Sequence, residues 1–211
     1  MANFTPRTLS PVGSYNPCWM TNLYGASWYD HWNTCIYGSP QQIGADVLSN
    51  CTGYAQGRSC EIWMECTGNN PTQTNSHPFD MFNMDAGEWI DYAPLYGFET
   101  GSQPKLGAIL VTATHVAIVE EKVNDDLYYV SESGYDTLPP FSYSTSLYRS
   151  GGVWGSYYTG QPIVGFIYNP YVDDTPPTPP IPSGGSGILS PIYLRNRNNF
   201  NLNRRNRRLT R

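Results

Sequence analysis

The sequence has no CxxC pair, no apolar run near the roughly 18 residues of a membrane span, and no basic start with an apolar stretch across residues 1–15. Structural zinc sites usually bring their ligands in close pairs, so cysteines at 18, 35, 51, 60 and 66 argue against one. Without a long apolar run, no membrane insertion is expected. Without a secretory pattern, no signal peptide is expected, and activity outside a cell requires another delivery route. Charged residues are sparse at 14%, and no internal repeat is found, which argues against a long helical bundle. What is abundant is aromatic and turn-forming: 17 Tyr, 6 Trp and 7 Phe beside 20 Gly and 18 Pro. That mixture suits a loop-rich fold of short strands, and 211 residues suit one domain plus a further segment.

The net charge of −5 conceals two opposite halves. Residues 1–174 hold 17 acidic and 5 basic residues, a balance of −12, whereas residues 175–211 hold seven Arg and no acid. The junction, "TPPTPPIPSGGSG" at 175–187, has the composition of a linker that cannot bury a core. Beyond it, residues 188–211 form an Arg/Asn-rich arm without helical or strand period, expected to be disordered unless a partner orders it. Such an arm favours polyanions, virion proteins or another acidic face; a solvated tail without a partner is the alternative. Residues 1–39 read as a turn-rich extension packed on a domain at 40–174.

Within that domain, Ser49-Asn50 is a helix-capping pair ahead of "CTGYAQGRSCEIWMEC". Cys51 therefore falls in a first helical turn, where the dipole and free amides favour the thiolate. Gly53 and Gly57 are poor helix formers, so close packing is the better reason for them. Five cysteines is an odd count, so at least one thiol is unpaired, and their pairing, including a Cys18–Cys35 bridge, stays open.

A thiol nucleophile needs a base. His115 opens "HVAIVEEKVNDDLYYVSESG", which reads as strands at 115–120 and 127–133 joined by a turn at "KVNDD". His115 then shares a face with Ala117 and Val119, and Glu132 shares one with Tyr128 and Val130. A turn centred on Val123-Asn124 sets His115 directly across from Glu132; one residue later, Glu132 becomes a diagonal neighbour on the same face. Either register hands the histidine a carboxylate. His31 and His77 lie in loop-like sequence and read as surface or packing residues.

These blocks resemble a known family, the CHAP domains, cysteine- and histidine-dependent amidohydrolases and peptidases of the papain-like, NlpC/P60-related group. "NCTGYAQGR", "GSQPKLGAILV" leading into "HVAIVEE", "YYVSESGY" and "GFIYNP" follow in the family's order across about residues 40–170, most like bacteriophage cell-wall lysins. The resemblance implies an α+β fold with the nucleophile at a helix N-terminus packed on a small antiparallel β-sheet. It assigns the catalytic cysteine to Cys51, the histidine to His115 and the orienting acid to Glu132. Gly134 stands where many members have Asn, Ala108 where an acid often follows the Gly, and "TAT" where a Gly usually precedes the histidine. "SWYDHWN" offers only Asp30 for a calcium loop, so no metal site is carried over.

The expected function is hydrolysis of a peptidoglycan amide bond, by an N-acetylmuramoyl-L-alanine amidase or a stem or cross-bridge endopeptidase using Cys51, His115 and Glu132. No metal or organic cofactor is expected. Trp28, Trp63, Trp89 and Tyr54 are candidate walls for glycan or stem peptide, though most are expected in the core. A phage endolysin made in the host cytoplasm and released to the wall, or a tail-associated virion lysin, fits the missing signal. The competing readings are a catalytically inactive structural or binding virion protein with the same fold, and a cysteine protease acting on proteins.

Overall fold

Asn50 sets where the main helix starts. Its backbone is extended, and its Oδ1 accepts the Gly53 N–H at 3.2 Å and the Thr52 hydroxyl at 2.9 Å. Helix α1 then runs over Cys51–Thr67 and stops at Gly68, whose φ of 71° favours glycine and whose N–H reaches the Met64 carbonyl. The structure, a computed structural model, describes residues 4–11, 13–14, 16–19, 41–43, 46–48, 50–71, 78–79, 82, 84–134, 141–156 and 161–173. Trp28, Asp30, His31, Cys35, His77, the linker at 175–187 and the arm at 188–211 lie outside the described residues.

Strands β1 (Gln41–Ile43) and β2 (Asp46–Leu48) pair just ahead of α1. A short helix α2 (Trp89–Tyr92), flanked by 3-10 turns, leads into β3 (Thr100–Gly101). Then come β4 (Ile109–Thr112), β5 (Val116–Asn124), β6 (Leu127–Ser133), β7 (Phe141–Ser150), β8 (Val153–Ser156) and β9 (Ile163–Ile167). The seven strands β3–β9 form one antiparallel sheet in the order β3-β9-β4-β5-β6-β7-β8. A further bridge between Gly155 and Pro162 brings the β8 edge back to the start of β9, so the sheet curls on itself. Few helices on an antiparallel sheet make this an α+β fold.

The alternation of the strands divides the core in two. Ile109, Val111, Val116, Ile118 and Ile167 face α1 with Tyr54, Ala55 and Ile62. Leu110, Ala117, Val119, Tyr128, Val130, Leu147, Trp154 and Phe166 form a second cluster on the other face, inside the curl. Helix α1 is buried from Thr52 to Trp63, because the sheet covers one side while Phe4, Trp19, Phe79 and Phe82 cover others. Gly57 permits this: a Cβ there would stand 2.4 Å from the Trp19 ring. Cys18, in the 3-10 turn Pro17–Trp19, is bridged to Cys60 of α1, so the pairing left open in the sequence joins the N-terminal segment to the helix.

One expectation needs correction. The segment "KVNDD" is not all turn: β5 continues through Asn124, and only Asp125-Asp126 turn the chain. Asn124 Oδ1 accepts the Asp126 N–H at 2.9 Å, which holds the tight turn. Residues 121–126 are exposed, so no apolar pattern marks this part of the ladder, which absorbs two register shifts.

Candidate functional site

Cys51 is the first residue of α1, a position set by the Asn50 cap. The amides of Cys51 and Thr52 have no carbonyl partner within the helix, and the positive end of the helix dipole lies there. Cys51 is half-buried. His115 sits at the end of the tight connection from β4 to β5. That connection is closed by the Thr112 N–H donating to the His115 carbonyl at 2.9 Å, while the Thr112 hydroxyl accepts the His115 N–H at 3.1 Å. Gln161 braces it from outside, accepting from the hydroxyls of Thr112 at 3.0 Å and Thr114 at 3.1 Å. The two threonines of "TAT" thus shape the approach to the histidine.

The three side chains meet. His115 Nε2 lies 2.6 Å from Glu132 Oε2, and Cys51 is close enough to act on the same ring through its charge and hydrogen-bonding capacity. With Nε2 engaged by the acid, Nδ1 is the nitrogen left for the sulfur. Near the site, β5 and β6 pair Ile118 with Ser131 and Val119 with Val130. That is the later of the two registers the sequence allows, and it leaves Glu132 diagonal to His115 on the same face. The acid is 2% exposed and the imidazole 14%, so the ring opens toward solvent while its carboxylate does not.

Burial alone would pull the His115 pKa down, but the hydrogen bonds and charges of Cys51 and Glu132 outweigh it, and the pKa is pushed up to about 9. At neutral pH the ring is therefore an imidazolium beside a cysteine sulfur, the charge partner that a thiolate nucleophile uses. At Cys66, burial and the neighbouring Glu65 push the thiol pKa up.

Of the aromatic walls considered, Tyr54, Trp63 and Trp89 are buried and cannot line a groove. They are core because α1 and α2 turn these faces inward. Tyr54 instead donates to Ser131 at 2.7 Å, and Ser131 donates to Glu120 at 2.6 Å. Glu120 belongs to a buried charge network with Arg58, Glu61 and Arg7 that sequence reading missed. Its signal was Arg58, Glu61 and Glu65 at a spacing that brings them to one helix face. Ser142, which donates to Glu132 Oε1 at 3.3 Å, was also missed. Among the described residues, no group of three or more His, Cys, Asp or Glu is arranged to hold a metal ion, and no helix is long and apolar enough to cross a membrane.

The family model of the CHAP domain matches residues 37–134, a stretch that includes Cys51, His115 and Glu132. Over that stretch the chain is similar to CHAP domains. Such domains are in general hydrolytic, cysteine- and histidine-dependent amidohydrolases or peptidases, which points to a peptidoglycan-related activity. The CHAP match ends at Gly134, so β7, β8 and β9 lie beyond it. No curated protein matches the chain significantly.

Proposed function

We propose that the chain hydrolyses an amide bond of bacterial peptidoglycan, with Cys51 as nucleophile, His115 as general base and acid, and Glu132 as the residue that orients His115. The observation that carries this reading is His115 held at 2.6 Å by the buried Glu132, with the half-buried Cys51 of the helix N-terminus acting on the same ring. The Cys51 thiolate attacks the carbonyl carbon, and backbone amides at the start of α1 stabilise the oxyanion. The C–N bond then breaks as the His115 imidazolium gives its proton to the leaving amine. Water, deprotonated by His115, attacks the thioester, and the carboxylic acid leaves as the thiolate returns. Glu132 holds the ring tautomer and offsets the imidazolium charge in each step.

The papain-like placement of a nucleophile at a helix N-terminus supports the same reading. A phage endolysin or a virion-associated lysin fits this chemistry. In that setting the basic arm at 188–211 engages virion proteins or wall polyanions.

The test is turbidity loss and product mass spectrometry on purified sacculi from several Gram-positive hosts, with the native chain and Cys51→Ala. Clearing by the native chain alone is expected, and the new termini name the bond as amidase or endopeptidase. Cleavage of casein without any action on sacculi would shift the reading to a protein-directed protease. If the folded native chain cleaves neither, a structural or binding role on the same fold replaces both.

A further inference from the structure

The orientation of a carboxylate decides which oxygen meets its partner, and His115 meets Oε2 of Glu132. Oε1 accepts the hydroxyl of Ser142 on β7 at 3.3 Å. Ser142 stands directly opposite Glu132 in the β6–β7 ladder because the register changes there. From Leu127–Tyr148 to Val130–Thr145 the strands keep one register, which if continued would set Tyr143 opposite Glu132. The shift between Val130 and Ser131 instead pairs Ser131 with Tyr143 and Glu132 with Ser142. Bulges beside functional sites commonly re-aim a side chain in this way. Here the shift exchanges a bulky phenol for a short hydroxyl, and the Tyr143 hydroxyl donates to Glu121 at 2.6 Å instead. Ser142 lies beyond the residues that match the CHAP model.

We propose that Ser142 is a positioning residue of this site: its hydroxyl, donating to Oε1, sets the plane of the Glu132 carboxylate so that Oε2 meets His115 Nε2 and Nδ1 stays turned to Cys51. It supplies from the neighbouring strand a polar contact that Gly134, which has no side chain, does not. The inference rests on the reading of Cys51 and His115 as the reacting pair.

The experiment compares the full chain with Ser142→Ala and Ser142→Thr. It follows the ring resonances of His115 by NMR against pH, and the rate at which iodoacetamide alkylates Cys51, read by peptide mass spectrometry so that Cys35 and Cys66 do not contribute. In Ser142→Ala, the midpoint of the His115 titration falls by about one pH unit, as loss of a charge-assisted contact predicts. Sacculus clearing slows about tenfold in maximal rate, with its dependence on sacculus concentration unchanged. Ser142→Thr, which keeps the hydroxyl, restores both.

An unmoved His115 midpoint in folded Ser142→Ala assigns Ser142 to strand pairing alone and overturns the proposal, whatever happens to clearing. The titration needs no substrate. A native chain that clears nothing, but whose midpoint still falls in Ser142→Ala, would remove the hydrolase reading and leave the positioning role standing.

Discussion

Arg58 and Glu120 are 62 residues apart in sequence and form a two-point ion pair, Nε to Oε1 at 2.8 Å and Nη2 to Oε2 at 2.9 Å. Both side chains are buried, at 1% and 0% exposure. The pair joins α1 to β5, the two elements that deliver Cys51 and His115. Arg58 also reaches Glu61 and the Thr5 carbonyl, and its guanidinium lies over the Phe4 ring, so the N-terminal segment is fastened at the same point.

Removing Glu120 takes the two-point partner from a buried guanidinium that keeps Glu61 as its remaining close counter-charge. Glu120→Ala is expected to cost about 3–5 kcal/mol, a large part of a domain's usual stability. Urea unfolding followed by tryptophan fluorescence measures it. A loss below about 1 kcal/mol would mean that the network is solvated.

Burial tends to raise the Glu61 pKa, but the hydrogen bonds and charges of Arg7 and Arg58 outweigh it and hold the carboxyl below its ordinary value of 4.5. A lowered folded value gives stabilisation that is present above the unfolded value and lost as pH falls through the folded one. The urea midpoint should therefore drop on acidification below about pH 4.5. Glu61→Gln should flatten that slope.

The His115 pKa near 9 stands above the ordinary 6.5. Its contribution to stability is complete below 6.5 and disappears as pH rises through 9. The alkaline limb of kcat/KM should fall near the same pH. Glu132→Gln keeps the shape but removes the charge, so the limb moves toward neutral. A limb that stays in place would show that Cys51 alone sustains the imidazolium.

A methyl group on Gly57 has no room, since its carbon would lie 2.4 Å from Trp19. Gly57→Ala should gain about 1 kcal/mol of helix propensity and lose more to overpacking, typically 1–3 kcal/mol and occasionally greater. A lowered Tm is the expected outcome. Pairing it with Trp19→Leu, which makes space, should recover part of the loss.

The Cys18–Cys60 bridge closes a sequence separation of 42 residues. Chain-entropy reasoning for a loop of that size predicts a stabilisation on the order of 4 kcal/mol. Dithiothreitol should lower the urea midpoint of the native chain and leave that of Cys18→Ser/Cys60→Ser unchanged.

How far the sequence could be read differs from element to element. Asn50 and Cys51 announced a helix start, because capping is local chemistry between residues within three positions of each other. The strand 127–133 and the shared face of Ala117, Val119, Tyr128 and Val130 followed from period-two alternation. That alternation ends at Glu120, so the polar continuation of β5 has the pattern of a turn. Candidate walls at Trp63 and Trp89 failed for a different reason: a Trp looks the same in sequence whether its face is covered or open.

Local pattern alone thus determined the helix that starts at Cys51, the hairpin that carries His115 and Glu132, and the two possible registers between them. Tertiary structure decided the rest. It selected the register, joined Cys18 to Cys60, buried Arg58 with Glu120, and brought Ser142 to the second oxygen of Glu132. Capping and alternation act between near neighbours and leave a trace in residue order, whereas bridges, buried ion pairs and bulges depend on which distant surfaces come to share one space.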